Sequence, residues 1–188
     1  MIYYPASKKL LLIEPIYTLA VGQPNSGHPL AYRSGAIEFI QRLAVSFDIM
    51  FYSSRESHYL SMIRNHIDPS NMLIKQILDY RHCVRTASNR IVKDLTIVTG
   101  YSLRDIVMVD YKPQNVNRQL ANAVCLMYFD PGRPEITEYL LGECLQHLLS
   151  LSCEPDVRMS NSHRLPYYQF LELKTNCECK GRNDPYLF

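Results

Sequence analysis

Apolar runs that end in an acidic residue mark the predicted strands of this chain. Residues 10–13 are four consecutive aliphatic side chains between Lys9 and Glu14, a pattern typical of a strand that is covered on both faces of a parallel sheet. Residues 106–109 repeat the pattern before Asp110. Sites in open α/β sheets lie beyond the carboxyl ends of the strands. Glu14 and Asp110 are therefore predicted to lie at one functional edge, although from its own segment alone Glu14 is interpreted more readily as the point where a core strand reaches the surface.

Helical periodicity separates these runs. After Ser34, a predicted N-cap, Ile37, Ile40 and Leu43 follow the spacing of a helix face, and residues 47–52 are a predicted strand. A right-handed crossover places that strand parallel to the first one. The remaining predicted elements are a helix from Ser57, a short helical turn over residues 72–77, a fourth apolar run over residues 121–128 and an amphipathic helix over residues 135–151. Alternating strands and helices predict a doubly wound α/β sheet, and the Gly, Pro, Asn and Ser-rich residues 20–32 are a predicted loop.

Composition limits the class of protein. At 188 residues, with 47% hydrophobic and 20% charged residues, the chain is predicted to form one globular domain over residues 1–188. The formal charge of +2 and the scattered Lys and Arg residues do not favour a direct nucleic-acid partner. The longest apolar run, residues 123–129, is far shorter than the roughly 20 residues of a membrane-spanning helix, so no membrane span is expected.

Cysteine usage favours an intracellular location, in the nucleus or the cytoplasm. The six cysteines are mostly isolated within apolar segments, as expected for free thiols in a reducing compartment. Cys177 and Cys179 suggest a metal pair, but structural zinc usually has four ligands, and incidental thiols are the favoured interpretation. No resident cofactor is expected.

Four separated segments carry the chemistry-bearing residues. These are Leu-Ile-Glu-Pro-Ile-Tyr-Thr-Leu at residues 12–19, Tyr-Ser-Ser at 52–54, Val-Lys-Asp-Leu at 92–95 and Val-Asp-Tyr-Lys-Pro at 109–113. In this order they resemble the Asp-Leu-Asp-Glu-Thr-Leu loop, the Phe-Thr-Ala-Ser strand end, the Val-Lys-Asp-Leu run and the Asp-Asn/Asp-Ser-Pro motif of the NLI-interacting-factor or CTD-phosphatase branch of the haloacid dehalogenase superfamily. The resemblance covers about residues 10–158 and leaves residues 159–188 as a C-terminal extension.

The resemblance implies a fold as well as a site. It implies a single CTD-phosphatase-like domain with a haloacid dehalogenase-like Rossmannoid core, a parallel sheet with helices on both faces. Active members usually carry a longer insertion with a small β-hairpin after the first strand. Here only residues 20–32 separate the first loop from the next helix, so a reduced insertion is expected.

Three positions depart from the family's chemistry. In the resembling enzymes one aspartate attacks the phosphoserine phosphorus, a second protonates the leaving oxygen and Mg²⁺ offsets the phosphoryl charge. This sequence has Glu14 in the nucleophile position, Ile16 in the acid/base position and Tyr111 in place of a metal ligand. The resemblance therefore implies degenerate catalytic positions and a lost metal-ligand position.

Other positions keep the family's residue types. Thr18 retains a loop position, and Ser53 and Lys93 match the phosphate-binding residues. Asp110 matches the acidic residue that holds that lysine or assists the metal, which makes it a weak metal candidate. Without the resemblance, Lys93 and Asp94 would be interpreted as a solvated pair on a loop and Asp110 as a strand terminus or helix N-cap.

The sequence thus predicts a pseudophosphatase, a catalytically impaired homologue of a Mg²⁺-dependent protein serine phosphatase, that acts by binding a protein or phosphoprotein partner. One alternative is an active but atypical phosphoserine phosphatase, which would need Mg²⁺. Another is a scaffold of the mitochondrial-import type. Within the first hypothesis, Ser53 and Lys93 either bind an anion without metal, or Lys93 pairs internally with Glu14 or Asp110 and closes the site.

Overall fold

A computed structural model describes residues 8–23, 28–87 and 89–164 of the chain. The strands, in chain order, are β1 (Lys9–Ile13), β2 (Ala20–Gln23), β3 (His28–Tyr32), β4 (Phe47–Tyr52), β5 (Ile74–Leu78), β6 (Val84–Arg85), β7 (Ile91–Val92), β8 (Ile106–Asp110) and β9 (Ala123–Cys125). The α-helices are α1 (Ala36–Ala44), α2 (Ser57–Ile67), α3 (Pro134–Ser152) and α4 (Val157–Arg164). Four 3₁₀ segments span Tyr80–His82, Leu95–Ile97, Leu103–Asp105 and Pro113–Asn122.

A parallel sheet with the strand order β5-β4-β1-β8-β9 forms the centre of the fold. Strand β1 lies in the middle, and its last residue, Ile13, is in register with Phe51 of β4 and Val109 of β8. The predicted parallel sheet with these three strands as neighbours is therefore confirmed. Because the strands are parallel, Glu14 and Asp110 emerge at the same edge, as predicted.

Strand β1 is buried from both sides, which explains its uninterrupted aliphatic sequence. Leu11 and Ile13 face one core layer, into which α1, α2 and α3 direct their buried side chains. Leu10 and Leu12 face a second layer that is closed by the 3₁₀ segments and by Tyr52. These four β1 residues are fully buried, as expected for a central parallel strand.

Three local predictions are wrong. The predicted helical turn over residues 72–77 is an edge strand, β5, which pairs in parallel with β4. Gly35 rather than Ser34 occupies the N-cap of α1, with no side-chain cap. Ile37, assigned to the core by the pattern, is 41% exposed, and Phe39 is buried instead.

The predicted loop over residues 20–32 is also wrong, because β2 and β3 form an antiparallel hairpin there. The insertion is short, but it forms a regular β-hairpin. Gly22 makes the close approach of the two strands possible, since its φ is +141° and a Cβ atom at this position would lie 2.5 Å from the Pro29 carbonyl oxygen. Within the described ranges, no helix combines the length and the apolar character that crossing a membrane requires. Cys177 and Cys179 lie outside the described residues.

Candidate functional site

The loop that follows β1 is held by hydrogen bonds to its own backbone. Glu14 continues the β1–β8 ladder by donating its N–H to the Val109 carbonyl at 2.9 Å, and the Thr18 hydroxyl donates to the Glu14 carbonyl. The amides of Leu19 and Ala20 both donate to the Pro15 carbonyl, at 2.9 and 3.1 Å. These hydrogen bonds fix the loop backbone and therefore the direction in which the Glu14 side chain leaves the sheet.

A buried ion cluster occupies the carboxyl edge of the sheet. The Lys93 Nζ lies 2.7 Å from the Glu14 Oε2 and 2.6 Å from the Asp110 Oδ2. The three side chains are at most 4% exposed. With all groups ionised, the Glu14–Lys93–Asp110 cluster has two carboxylates, one ammonium and a net charge of −1. Lys93 therefore faces the interior and is not part of a solvated surface pair.

Burial and mutual charge together raise the pKa of both Glu14 and Lys93, for different reasons. Burial raises the pKa of Glu14, and although the Lys93 ammonium lowers it, the neighbouring Asp110 raises it again. Burial works against the Lys93 ammonium, but the carboxylates of Asp110 and Glu14 outweigh that cost and raise its pKa. Lys93 is therefore a cation at neutral pH, and Glu14 is easier to protonate than an ordinary glutamate.

The second carboxylate oxygen of Glu14 also accepts a hydrogen bond. Its Oε1 accepts the N–H of Ile16 at 3.1 Å, and the nearby Ser53 hydroxyl lowers the pKa of the same carboxylate. Ser53 is fully buried and accepts the N–H of Arg55 at 3.2 Å. The residues predicted to bind phosphate are thus brought together with Glu14, and both make hydrogen bonds within the protein.

Ile16 and Tyr111 line the same region. Ile16 is 4% exposed within the aliphatic core layer. The Tyr111 ring lies 5.0 Å, between centroids, from the ring of Tyr17, and both residues are half-buried. Burial, together with the charges of Glu14 and Asp110, raises the pKa of the Tyr111 phenol, so it is uncharged at neutral pH. Tyr111 is thus close enough to the cluster to be affected by its charges, and its ring packs against that of Tyr17.

Asp110 and Asp94 have separate structural roles. Asp110 accepts the N–H of Lys112 at 2.8 Å in addition to the Lys93 ammonium. Asp94 caps the 3₁₀ segment Leu95–Ile97 through the N–H of Thr96 at 3.0 Å and pairs with Arg118 at 2.5 Å. In the part of the chain that the structure describes, no group of three or more His, Cys, Asp or Glu side chains is arranged to hold a metal ion.

Arg33 is the residue of this region that motif reasoning did not single out. Its guanidinium donates to the Thr18 carbonyl at 2.9 Å, and the residue is only 2% exposed. The sequence signal was its place in the Arg33-Ser34-Gly35 segment that opens α1. An arginine before a helix is ordinarily solvated, so its burial could not be inferred from the pattern.

Comparison with known proteins gives one family match. The model of the family described as "NLI interacting factor-like phosphatase" matches residues 6–158. The chain is 26% identical over 136 residues to CTD small phosphatase-like protein 2 of Dictyostelium discoideum, a match that covers 71% of this chain and 23% of that protein. It therefore spans less than a quarter of that relative's length.

Solved structures of Fcp1, an RNA polymerase II CTD phosphatase, have the same fold. A beryllium fluoride complex of a variant of the fission yeast enzyme matches with a TM-score of 0.55 at 14% identity, covering 90% of this chain and 56% of that chain. Another Fcp1 structure matches with a TM-score of 0.56 at 15% identity, covering 95% and 56%. At these identities the likeness concerns the fold alone.

Proposed function

The chain belongs to the NLI interacting factor-like phosphatase family, and we propose that it is a catalytically impaired member, a pseudophosphatase that acts by binding a protein or phosphoprotein partner. The observation that carries the proposal is that both carboxylate oxygens of Glu14 are bound by neighbouring groups. Its Oε2 is paired with Lys93 at 2.7 Å and its Oε1 accepts the Ile16 N–H at 3.1 Å. A nucleophile needs an oxygen free to approach phosphorus in line, and both oxygens here are bound by neighbouring groups.

Geometry adds to this engagement. Glutamate carries one methylene more than the aspartate of the resembling enzymes, so its carboxylate is displaced from the position of an aspartate by about 1 Å or more. A misplacement of about 1 Å can lower a rate that depends on positioning by about 100-fold. The Glu14–Lys93–Asp110 cluster thus holds the displaced carboxylate in a stable arrangement that is unsuited to attack.

Ile16 supplies no proton. General acid catalysis requires a group that carries a transferable proton within hydrogen-bond reach of the leaving oxygen. Ile16 is a buried hydrocarbon side chain that packs in the core. Neither protonation of a serine leaving group nor activation of water can take place from this position.

The donor set does not fit Mg²⁺. This ion prefers hard, charged oxygen ligands in octahedral geometry, whereas Tyr111 offers a phenol whose pKa is raised by burial and by the nearby Glu14 and Asp110. The carboxylates of Glu14 and Asp110 are already paired with the Lys93 ammonium, which supplies the positive charge between them. No step of the proposed function depends on a metal.

A binding role is supported by what the chain keeps. Ser53 and Lys93 remain at the carboxyl edge of the sheet beside Glu14, while the positions for chemistry and for metal are replaced. Whether the partner is recognised through a phosphoryl group depends on whether Lys93 can leave Glu14. A partner that docks elsewhere on the surface requires no such change.

A phosphatase assay tests the proposal. With an aryl phosphate and with phosphoserine peptides at millimolar Mg²⁺, we expect the wild-type protein to show no turnover above the Lys93→Ala variant. In parallel, titration with paired phosphorylated and unphosphorylated peptides measures binding without chemistry. Mg²⁺-dependent turnover that is abolished by Glu14→Gln would contradict the proposal and establish an atypical phosphoserine phosphatase instead.

A further inference from the structure

We propose that Arg33 is a positioning residue of this site, because its side chain and its backbone hold the loop of residues 14–20 in the conformation that covers the Glu14–Lys93–Asp110 cluster. The inference concerns the regulation of the same site and relies on the proposed function only for its biological meaning. Its test is made without any phosphoryl ligand.

The loop contains a conformation that needs outside support. Tyr17 has a φ of +64°, in the left-handed region, which is sterically unfavourable for a non-glycine residue. Such a conformation persists only where the surroundings determine it strongly. The Tyr17 N–H donates to the Ala20 carbonyl at 2.7 Å, a local bond that leaves the carbonyls of Tyr17, Thr18 and Leu19 to be held from outside the loop.

Three consecutive loop carbonyls are held, and Arg33 holds two of them. The Phe129 N–H donates to the Tyr17 carbonyl at 2.6 Å. The Arg33 Nη1 donates to the Thr18 carbonyl at 2.9 Å, and the Arg33 backbone N–H donates to the Leu19 carbonyl at 2.8 Å. The orientation of the peptide units on both sides of Leu19 therefore depends on Arg33.

The same guanidinium also reaches the segment after β9. Its Nη2 lies 3.5 Å from the Met127 carbonyl, and its Cζ lies 5.8 Å from the centroid of the Phe129 ring. Arg33 thus connects the Thr18 carbonyl to the segment whose Phe129 amide binds the Tyr17 carbonyl. A planar group with several fixed donors can make both contacts, whereas a lysine ammonium is a single point charge.

The burial of Arg33 indicates that its hydrogen bonds, rather than its volume, are what the site uses. Arg33 is 2% exposed, and burial lowers its pKa to about 10. Burying a cation is costly unless hydrogen bonds compensate, and an apolar side chain of similar length would fill the same space without that cost. Methionine at this position separates the two contributions, because it keeps most of the volume and removes every donor.

The consequence for the site follows from the placement of Tyr17. Its ring packs against that of Tyr111, whose phenol is close enough to Glu14 and Asp110 for their charges to raise its pKa, and both tyrosines are half-buried. If the Thr18 carbonyl is released, Tyr17 can leave the left-handed region and its ring can leave Tyr111. Lys93 would then become accessible to water and to anions.

The test compares Arg33→Met with Arg33→Lys and with Leu148→Ala, a core truncation in α3 that serves as a control for lost stability. NMR follows two quantities: the exchange of the Lys93 ammonium protons with water, and the coupling constants that report φ at Tyr17. Loss of a hydrogen bond from a charged donor is expected to open the loop more often and to accelerate Lys93 exchange about tenfold in Arg33→Met. Arg33→Lys should restore part of the protection, and Leu148→Ala should leave both quantities unchanged.

Equal Lys93 exchange in wild-type protein and Arg33→Met would overturn the inference, as would equal acceleration in the Leu148→Ala control. If Arg33→Met does not fold, Arg33→Gln replaces it, since glutamine keeps a donor but is too short to bridge the two carbonyls. Protection in Arg33→Gln equal to that of the wild type would likewise refute a positioning role. An active enzyme and a pseudophosphatase give the same expected result, so the outcome is independent of the proposed function.

Discussion

Replacing Lys93 by methionine tests whether its ammonium stabilises the two buried carboxylates of the cluster. The substitution removes the ammonium that lies 2.7 Å from Glu14 and 2.6 Å from Asp110, while it keeps the length of the side chain. With both carboxylates ionised, the net charge of the cluster would change from −1 to −2 in a region that is almost fully buried. The folded protein can avoid this state by taking up a proton.

The free energy needed to take up that proton sets the size of the expected loss in the free energy of unfolding. Breaking a buried ion pair by removing one partner costs about 3–5 kcal/mol. Protonating a glutamate of ordinary pKa about 4.3 at pH 7 costs about 3.7 kcal/mol, at about 1.36 kcal/mol for each unit. Both routes predict that Lys93→Met lowers the free energy of unfolding by about 3–5 kcal/mol at pH 7.

The sign of the pH dependence follows from the pKa of Glu14. Burial already raises this pKa, and removing Lys93 raises it further above the unfolded value. A raised carboxyl pKa stabilises the folded state below the unfolded pKa, and this stabilisation is lost as the pH rises. The deficit of Lys93→Met relative to the wild type should therefore shrink by about 1.4 kcal/mol for each pH unit between pH 7 and about pH 5.

Urea unfolding followed by far-ultraviolet circular dichroism at pH 5, 6 and 7 measures this deficit. The matched control is Lys93→Met combined with Glu14→Gln, which removes the titrating group and should show a smaller deficit with a weaker pH dependence. A loss of less than about 1 kcal/mol at pH 7, the size of an exposed ion pair, would refute the reasoning. A deficit that does not change with pH would refute it as well.

Three further predictions concern the core, the anion site and a surface-proximal carboxylate. Leu12→Ala truncates a fully buried β1 residue and should lower the free energy of unfolding by about 2–5 kcal/mol; a loss well below about 1 kcal/mol in urea unfolding would show that β1 is not central. Sulfate binding, followed through the Lys93 NMR signals with and without Mg²⁺, should strengthen as the pH falls, because protonation of Glu14 releases Lys93. The Glu14→Gln variant should bind sulfate without this pH dependence, and Lys93→Ala should not bind it. Absence of sulfate binding in the millimolar range would contradict an anion site and leave docking elsewhere on the surface as the binding mode. Burial opposes ionisation of Asp94, but hydrogen bonds from Thr96, Arg118 and Gln119 lower its pKa to about 2. Its contribution to stability is therefore present above the unfolded pKa and is lost as the pH falls to about 2. In thermal unfolding, Asp94→Asn should lose less stability on acidification than the wild type does.

The sheet was predictable where the local pattern and the tertiary environment agree. Residues 47–52 were predicted as a strand with the bounds that β4 has, because burial on both sides enforces apolar residues. Strand β5 is at the edge of the sheet, where only Ile74 and Leu78 are fully buried. Its sequence therefore resembles one face of a helix, and the pairing with β4 decides the outcome.

The β2–β3 hairpin illustrates a different limit. Gly22 and Pro29 indicate a loop when the sequence is considered locally, yet Gly22 is needed because the Pro29 carbonyl oxygen approaches its Cα closely. The hairpin is also held from outside, since the Tyr59 hydroxyl donates to the Gly22 carbonyl at 2.5 Å. Neither contact has a signal within residues 20–32.

The site was predictable as a set of positions but not as a set of contacts. The motifs place Glu14, Lys93 and Asp110 at one edge, and pairing of Lys93 with one of the carboxylates was one of two hypotheses. The sequence does not distinguish them, because the outcome depends on the extra methylene of Glu14 and on the burial of all three groups. Arg33 was noted only as part of the segment that opens α1 and was given no role at the site, because its burial and its carbonyl contacts have no signal in the sequence.

The most direct test of catalytic impairment is to restore the replaced residues. Phosphatase activity at millimolar Mg²⁺ is measured for Glu14→Asp, Ile16→Asp and Tyr111→Asn, singly and combined. Residues that act as a unit are strongly non-additive, so we predict that each single variant remains inactive and that the triple variant gains Mg²⁺-dependent turnover of phosphoserine peptides. Turnover by the wild-type protein that is lost in Glu14→Gln, or full activity in any single variant, would contradict the account.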